Sequence, residues 1–114
     1  MDKYTVLRIN TLLKHIETII NDLDGMSLGD FSKSDLLVRA TCFSLIQIGE
    51  QMNRLEKDLK ELYPNVQWFR ARELRNLIVH VYNKVEPVTI YKTAVDYLPI
   101  LKEEFATIKN ELLN

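Results

Sequence analysis

A chain of 114 residues, 46% hydrophobic and 27% charged, has an ordinary globular composition and by length forms one domain over residues 1–114. Fifteen Lys and Arg against sixteen Asp and Glu give a formal charge of -1, which excludes a strongly basic nucleic-acid binder but leaves room for a local basic site. Single Cys42 has no disulfide partner, no metal-ligand spacing or cofactor loop is present, residues 1–8 carry charges where a secretory core would sit, and no apolar run approaches the ~18 residues that span a bilayer, so a cytoplasmic, cofactor-free protein is expected.

The period along the chain is helical. Val6, Ile9, Leu13, Ile16, Ile20 and Leu23 alternate in steps of three and four, predicting an amphipathic first helix. Residues 24–30, with Gly25 and Gly29, read as a loop, and Ser32 to Asp35 as a capped helix start. Val38, Thr41, Leu45, Ile48, Met52, Leu55, Leu59 and Leu62 then predict a long second helix to about Tyr63, stopped by Pro64. On its outer face Glu56 and Lys60, and Lys57 and Glu61, stand at ion-pair spacing. A third helix is expected from Trp68 to about Tyr82, then a short connection, and a last helix from about Val88 to Leu112 that Pro99 should kink. The expectation is an all-α, antiparallel up-down bundle of four main helices. The second helix is longer than such a bundle needs, and its stripe is expected to extend into a subunit interface.

Residues 75–82, Arg-Asn-Leu-Ile-Val-His-Val-Tyr, concentrate the chemistry. On a wheel of 100° per residue, Ala71, Leu74, Leu77, Ile78 and Val81 share one face. Arg72, Arg75, Asn76, Val79 and His80 share the other, and Tyr82 returns near Arg75. Val79 is out of place on a polar face, as it would be if that face met another protein surface. Arg75 offers a planar fork of donors suited to phosphate oxygens. His80, with an ordinary pKa of ~6.5, can take or return a proton at neutral pH, and Asn76 can orient it. Such a set suits metal-free RNA cleavage: the imidazole acts at a ribose hydroxyl and the guanidinium stabilises the transition-state phosphate. A two-fold dimer would double a thin inventory. The plainer reading is an exposed helix with a capping histidine and a surface arginine.

Other residues admit two readings each. Gly49 interrupts a good helix at a cost of ~1 kcal/mol, either for close helix approach or for a functional contact. Its neighbour Glu50 could pair with an arginine on the motif face of a partner subunit. Arg70, Arg72, Arg75 and Lys84 make either a short phosphate track, with Arg72 and Lys84 as RNA contacts, or a solvated face offset by Glu73. Trp68 reads as a core plug before a stacking platform, Cys42 as packing, and His15 as a surface residue.

The spacing Arg75-Asn76, His80, Tyr82 resembles the signature of the HEPN superfamily, in particular its HepT-like toxins. Trp68, Ile48-Gly49-Glu50, Pro87, Tyr91 and Leu98-Pro99-Ile100-Leu101 resemble the flanking elements, so the likeness runs from roughly Arg39 to Leu101. The resemblance implies an all-α bundle that dimerises, or assembles further, with the motif in a cleft between protomers. It implies the toxin of a toxin–antitoxin pair, an endoribonuclease with Arg75 and His80 catalytic and Asn76 supporting. It further implies a minimal nucleotidyltransferase antitoxin as partner, which in some pairs transfers AMP to the motif tyrosine, here Tyr82. The rival reading is a non-catalytic nucleotide- or partner-binding subunit of a nucleotidyltransferase complex.

Overall fold

The computed structural model describes residues 3–79 and 86–114, and all regular structure among them is helical. Helix α1 spans Lys3–Leu23, α2 Leu28–Lys33, α3 Asp35–Leu59 and α4 Arg70–Arg75. The chain then closes with one continuous rod: α5 (Pro87–Lys92), a π-helical segment (Thr93–Tyr97) and α6 (Leu98–Leu113). The chain is an all-α bundle in which α3, at 25 residues, is the spine. It packs against α1 on one side and α4 on the other, while α1 also meets α6 and α2 meets α5.

The burial of α3 explains this arrangement. Leu45, Ile48, Met52, Leu55 and Leu59 continue the expected stripe, and Cys42, Ile46 and Gly49 are buried beside it. An apolar arc that wide covers two neighbours at once. Helix α1 buries Ile9, Leu12, Ile16, Ile19 and Leu23 together with Thr5, whose hydroxyl lies 3.3 Å from an Asp58 carboxylate oxygen. The core line therefore runs through Leu12 and Ile19, and the expected Leu13 and Ile20 flank it as partly buried side chains.

Several boundaries differ from the sequence expectation. Residues 28–30, expected in a loop, instead open a short helix α2 that runs to Lys33; Ser27 caps it by accepting from the Asp30 N–H at 3.1 Å, a Ser-x-x-Asp capping pattern. Ser34 caps α3 in the same way through the Leu37 N–H, as the Ser32–Asp35 start implies. Helix α3 ends at Leu59 rather than near Tyr63, so Leu62 leaves the stripe and is 63% exposed. Neither Glu56–Lys60 nor Lys57–Glu61 is an ion pair; the pairs among the described residues are Arg39–Asp35 and Arg75–Glu50. The last helix yields one turn before Pro99. Proline has no N–H for the Val95 carbonyl and crowds the turn behind it, and the backbone widens to a π segment there.

Aromatic side chains tie the ends together. Trp68 is buried, donates from Nε1 to the Tyr63 carbonyl at 3.0 Å, and meets Phe105 edge-on at 5.8 Å. It is the core plug. The Tyr91 hydroxyl donates to the Met26 carbonyl at 2.6 Å while its ring packs on Phe31, which pins the α1–α2 turn to the final rod. No helix among the described residues is long and apolar enough to cross a membrane.

Candidate functional site

The site begins with a missing side chain. A Cβ on Gly49 would lie 2.8 Å from the Leu74 Cβ, 2.9 Å from the Ala71 carbonyl oxygen and 3.0 Å from the Arg75 nitrogen. Helix α4 thus rests directly on the backbone of α3, with Ala71 and Leu74 buried in the seam. Close approach is the reason for the glycine. It also sets the position of the next residue: Glu50 Oε1 accepts from Arg75 Nε at 2.7 Å. The sequence expectation placed a Glu50–arginine pair across a subunit boundary; the structure forms it within the chain, because Gly49 brings α4 into reach.

This pair is half-open, with side-chain exposures of 42% for Arg75 and 34% for Glu50. The bond is made through Nε. With 42% of the Arg75 side chain exposed, the guanidinium, whose planar donors suit a phosphate, stays open to solvent beside the pair. Glu50 fixes the arginine without covering it, and it also cancels the arginine's net charge.

Beyond Arg75 the helix tightens. The Asn76 N–H donates to the Arg72 carbonyl at 2.9 Å, but the next bonds span three residues, Leu77 to Leu74 at 3.2 Å and Val79 to Asn76 at 3.1 Å. Three residues per turn put Leu77 directly over Leu74, so both are buried and Ile78 is rotated outward. This corrects the uniform wheel, which put Ile78 in the core; it is exposed, as is Val79 at 53%. Buried Cys42 supports the tightened turn through a weak thiol contact to the Leu77 carbonyl at 3.5 Å. Burial pushes its pKa up, which keeps it a thiol.

Arg72, Arg75 and Asn76 are all exposed on the side of α4 away from its buried residues. Arg70 is not part of that group: its guanidinium stacks 4.3 Å from the centre of the Tyr97 ring, and its Nε donates to Gln67. His80, Tyr82 and Lys84 lie outside the described residues. Among the described residues no cluster of three or more His, Cys, Asp or Glu could hold a metal ion.

A groove of about 510 Å³ runs beside Arg75. Asn53 and Glu56 of α3 and Lys60 at its C-cap line one side, and Phe69 at the N-cap of α4 with Arg72 and Arg75 line the other. Lys60 is expected at ion-pair spacing with Glu56, and Asn53 and Phe69 belong to no motif. Their only sequence signal is position: residues 53, 56 and 60 continue the face of Glu50 at helical spacing, and Phe69 and Arg72 do the same ahead of Arg75.

A family model described as ribonuclease HepT-like matches residues 9–108. Relatives include a Methanocaldococcus jannaschii protein named "Putative RNase", 29% identical over 101 residues, 89% of this chain and 87% of the relative. A protein of the same name from Caldanaerobacter subterraneus is 31% identical over 97 residues, 85% of this chain and 87% of its own length. A "Probable ribonuclease HepT" of Thermococcus cleftensis is 28% identical over 75 residues, 62% of this chain and 68% of the relative. No solved structure gives a significant match.

Proposed function

Because the chain belongs to the ribonuclease HepT-like family, we propose that it is a metal-independent endoribonuclease and the toxin of a toxin–antitoxin pair. The observation that carries this reading is the Arg75 guanidinium, held through Nε by Glu50 at 2.7 Å and still 42% exposed. In the reaction His80 takes the proton from a ribose 2′-hydroxyl, the 2′-oxygen bonds to phosphorus, and the bond to the 5′-oxygen breaks. A 2′,3′-cyclic phosphate and a 5′-hydroxyl result, the leaving oxygen receiving a proton from an imidazolium. Arg75 neutralises the charge that builds on the phosphate oxygens, and Asn76 orients the imidazole.

One site holding a base and an acid calls for two imidazoles, which a homodimer supplies. Exposed Leu36 and Phe43 support that assembly. They stand fourteen and seven residues before Glu50 on one face of α3, and exposed Ile78 and Val79 follow the motif arginine just past α4. A minimal nucleotidyltransferase antitoxin silences the site by transferring AMP to Tyr82, placing an anion where RNA must bind. The net charge of -1 favours the second reading, a non-catalytic nucleotide- or partner-binding subunit, because a ribonuclease must hold a polyanion.

The test is RNA cleavage by the purified protein in chelator, beside Arg75→Ala and His80→Ala. Cleavage lost in both variants supports the ribonuclease; equal cleavage in all three removes it. RNA bound without turnover by the wild type transfers support to the binding subunit.

A further inference from the structure

We infer that the groove between α3 and α4 is an RNA-binding subsite flanking the cut, in which Arg72 and Lys60 hold backbone phosphates and Phe69 stacks a base. The ligand class rests on the ribonuclease reading; the placement rests on the groove.

The need for such a subsite follows from the Glu50–Arg75 pair. With Glu50 bonded to it, Arg75 is a well-placed donor fork but adds no net positive charge. Affinity for a polyanion comes mainly from cations that neutralise phosphates. Close to Arg75, Arg72 and Lys60 supply them. Both are exposed, both line the groove, and neither is in an ion pair among the described residues. Glu56 lines the same groove without pairing to Lys60, and the two unpaired cations outnumber it.

The shape fits a strand rather than a single ion. Glu50, Asn53, Glu56 and Lys60 rise along one face of α3 over about 15 Å at 1.5 Å per residue. The opposite wall carries Arg75, Arg72 and Phe69 in steps of three, so the walls run side by side away from the motif. A volume of about 510 Å³ lies within the range of ordinary ligand sites. Phe69 is 63% exposed although its neighbour Trp68 is buried. An open aromatic ring in a groove with unpaired cations is the combination by which proteins hold single strands without reading sequence.

The test measures binding, so it does not depend on turnover. A labelled single-stranded RNA with 2′-O-methyl groups, which cannot be cut by the proposed route, is titrated by fluorescence anisotropy across a salt series. The proteins are wild type, a Lys60→Ala/Arg72→Ala double variant and Phe69→Ala. All three positions are exposed, and circular dichroism with thermal melts verifies the fold. The double variant should bind at least tenfold more weakly and flatten the plot of log affinity against log salt by about 1.4, two contacts at ~0.7 each. Phe69→Ala should weaken binding about tenfold with the salt slope unchanged. Wild-type affinity and slope in both variants would overturn the subsite, as would a wild type that does not bind. A changed oligomeric state with RNA affinity intact would assign the groove to a second copy and likewise overturn it. Cleavage of a dinucleotide, too short to enter the groove, is scored separately. Dinucleotide turnover with groove-independent binding ends the subsite alone; groove-dependent binding without any turnover ends the ribonuclease reading alone.

Discussion

Gly49→Ala sets two effects of opposite sign against each other. Inside α3, alanine is favoured over glycine by about 1 kcal/mol of intrinsic propensity. Counted alone, that raises the melting temperature by about 5 °C for a domain of this size. The added Cβ, however, meets the Ala71 carbonyl oxygen at 2.9 Å, the Arg75 nitrogen at 3.0 Å and the Leu74 Cβ at 2.8 Å. Two of these atoms are backbone and the third is the root of a side chain, so no rotamer change relieves the crowding. Helix α4 has to back away by several tenths of an ångström, at the ~1–3 kcal/mol typical of overpacking. The net expectation is a loss of about 1 kcal/mol, a melting temperature lower by about 5 °C. RNA cleavage should also fall, because the Glu50–Arg75 pair spans the same seam. Gly29→Ala is the control: its Cβ would meet only the Ser27 hydroxyl at 3.8 Å, so propensity acts unopposed and stability should rise. Thermal melts of both variants decide the matter. A Gly49→Ala protein as stable as Gly29→Ala refutes the close contact on which the site is built.

Glu50→Ala should lower kcat about tenfold, the scale of a displaced positioning contact. It should cost less than about 1 kcal/mol of stability, the range of exposed ion pairs. Glu50→Gln, which still accepts from Arg75 Nε, should restore most of the rate, and steady-state kinetics with melts separate positioning from structure. His15 has its pKa lowered by burial first and by Lys14 second. It is therefore neutral in the fold, and its contribution is intact above the unfolded value of 6.5 and is lost as pH falls from there through the folded value. Urea midpoints of wild type should decline over that interval more steeply than those of His15→Gln; parallel curves contradict the assignment. Co-expression with a minimal nucleotidyltransferase, the proposed antitoxin class, should add AMP mass to the protein, and Tyr82→Phe should abolish the gain. Intact mass spectrometry reads both, and a gain retained in Tyr82→Phe places the acceptor elsewhere.

The helical architecture is legible in the sequence because the 3-4 spacing of apolar residues along α1 and α3 admits one period only. Gly49 and Trp68 are legible too: each departs from its surroundings in a way that packing explains. What the sequence hides is where backbone geometry departs from a uniform helix. The three-residue turn at Asn76–Leu77 carries Ile78 out of the core, and nothing in those residue types announces it. The π segment before Pro99 is a response to a proline four residues ahead, so it shifts the disruption away from its cause. Capping of α2 by Ser27 was present as a four-residue pattern but was masked by two glycines. Partners chosen across the fold are hidden most deeply. Lys60 has Glu56 one turn away and does not pair with it, whereas Glu50 reaches an arginine 25 positions on.

The account turns on a ribose hydroxyl attacking a phosphate that Arg75 holds, with no metal taking part. Its most direct measurement compares one RNA with a twin carrying a single 2′-deoxy sugar at the mapped cut, both in excess chelator with the wild-type protein. The account predicts cleavage of the RNA to a cyclic phosphate and a 5′-hydroxyl, and an intact twin at that position. Cleavage of the deoxy twin at the same bond, or of the RNA only after a divalent metal is restored, contradicts it.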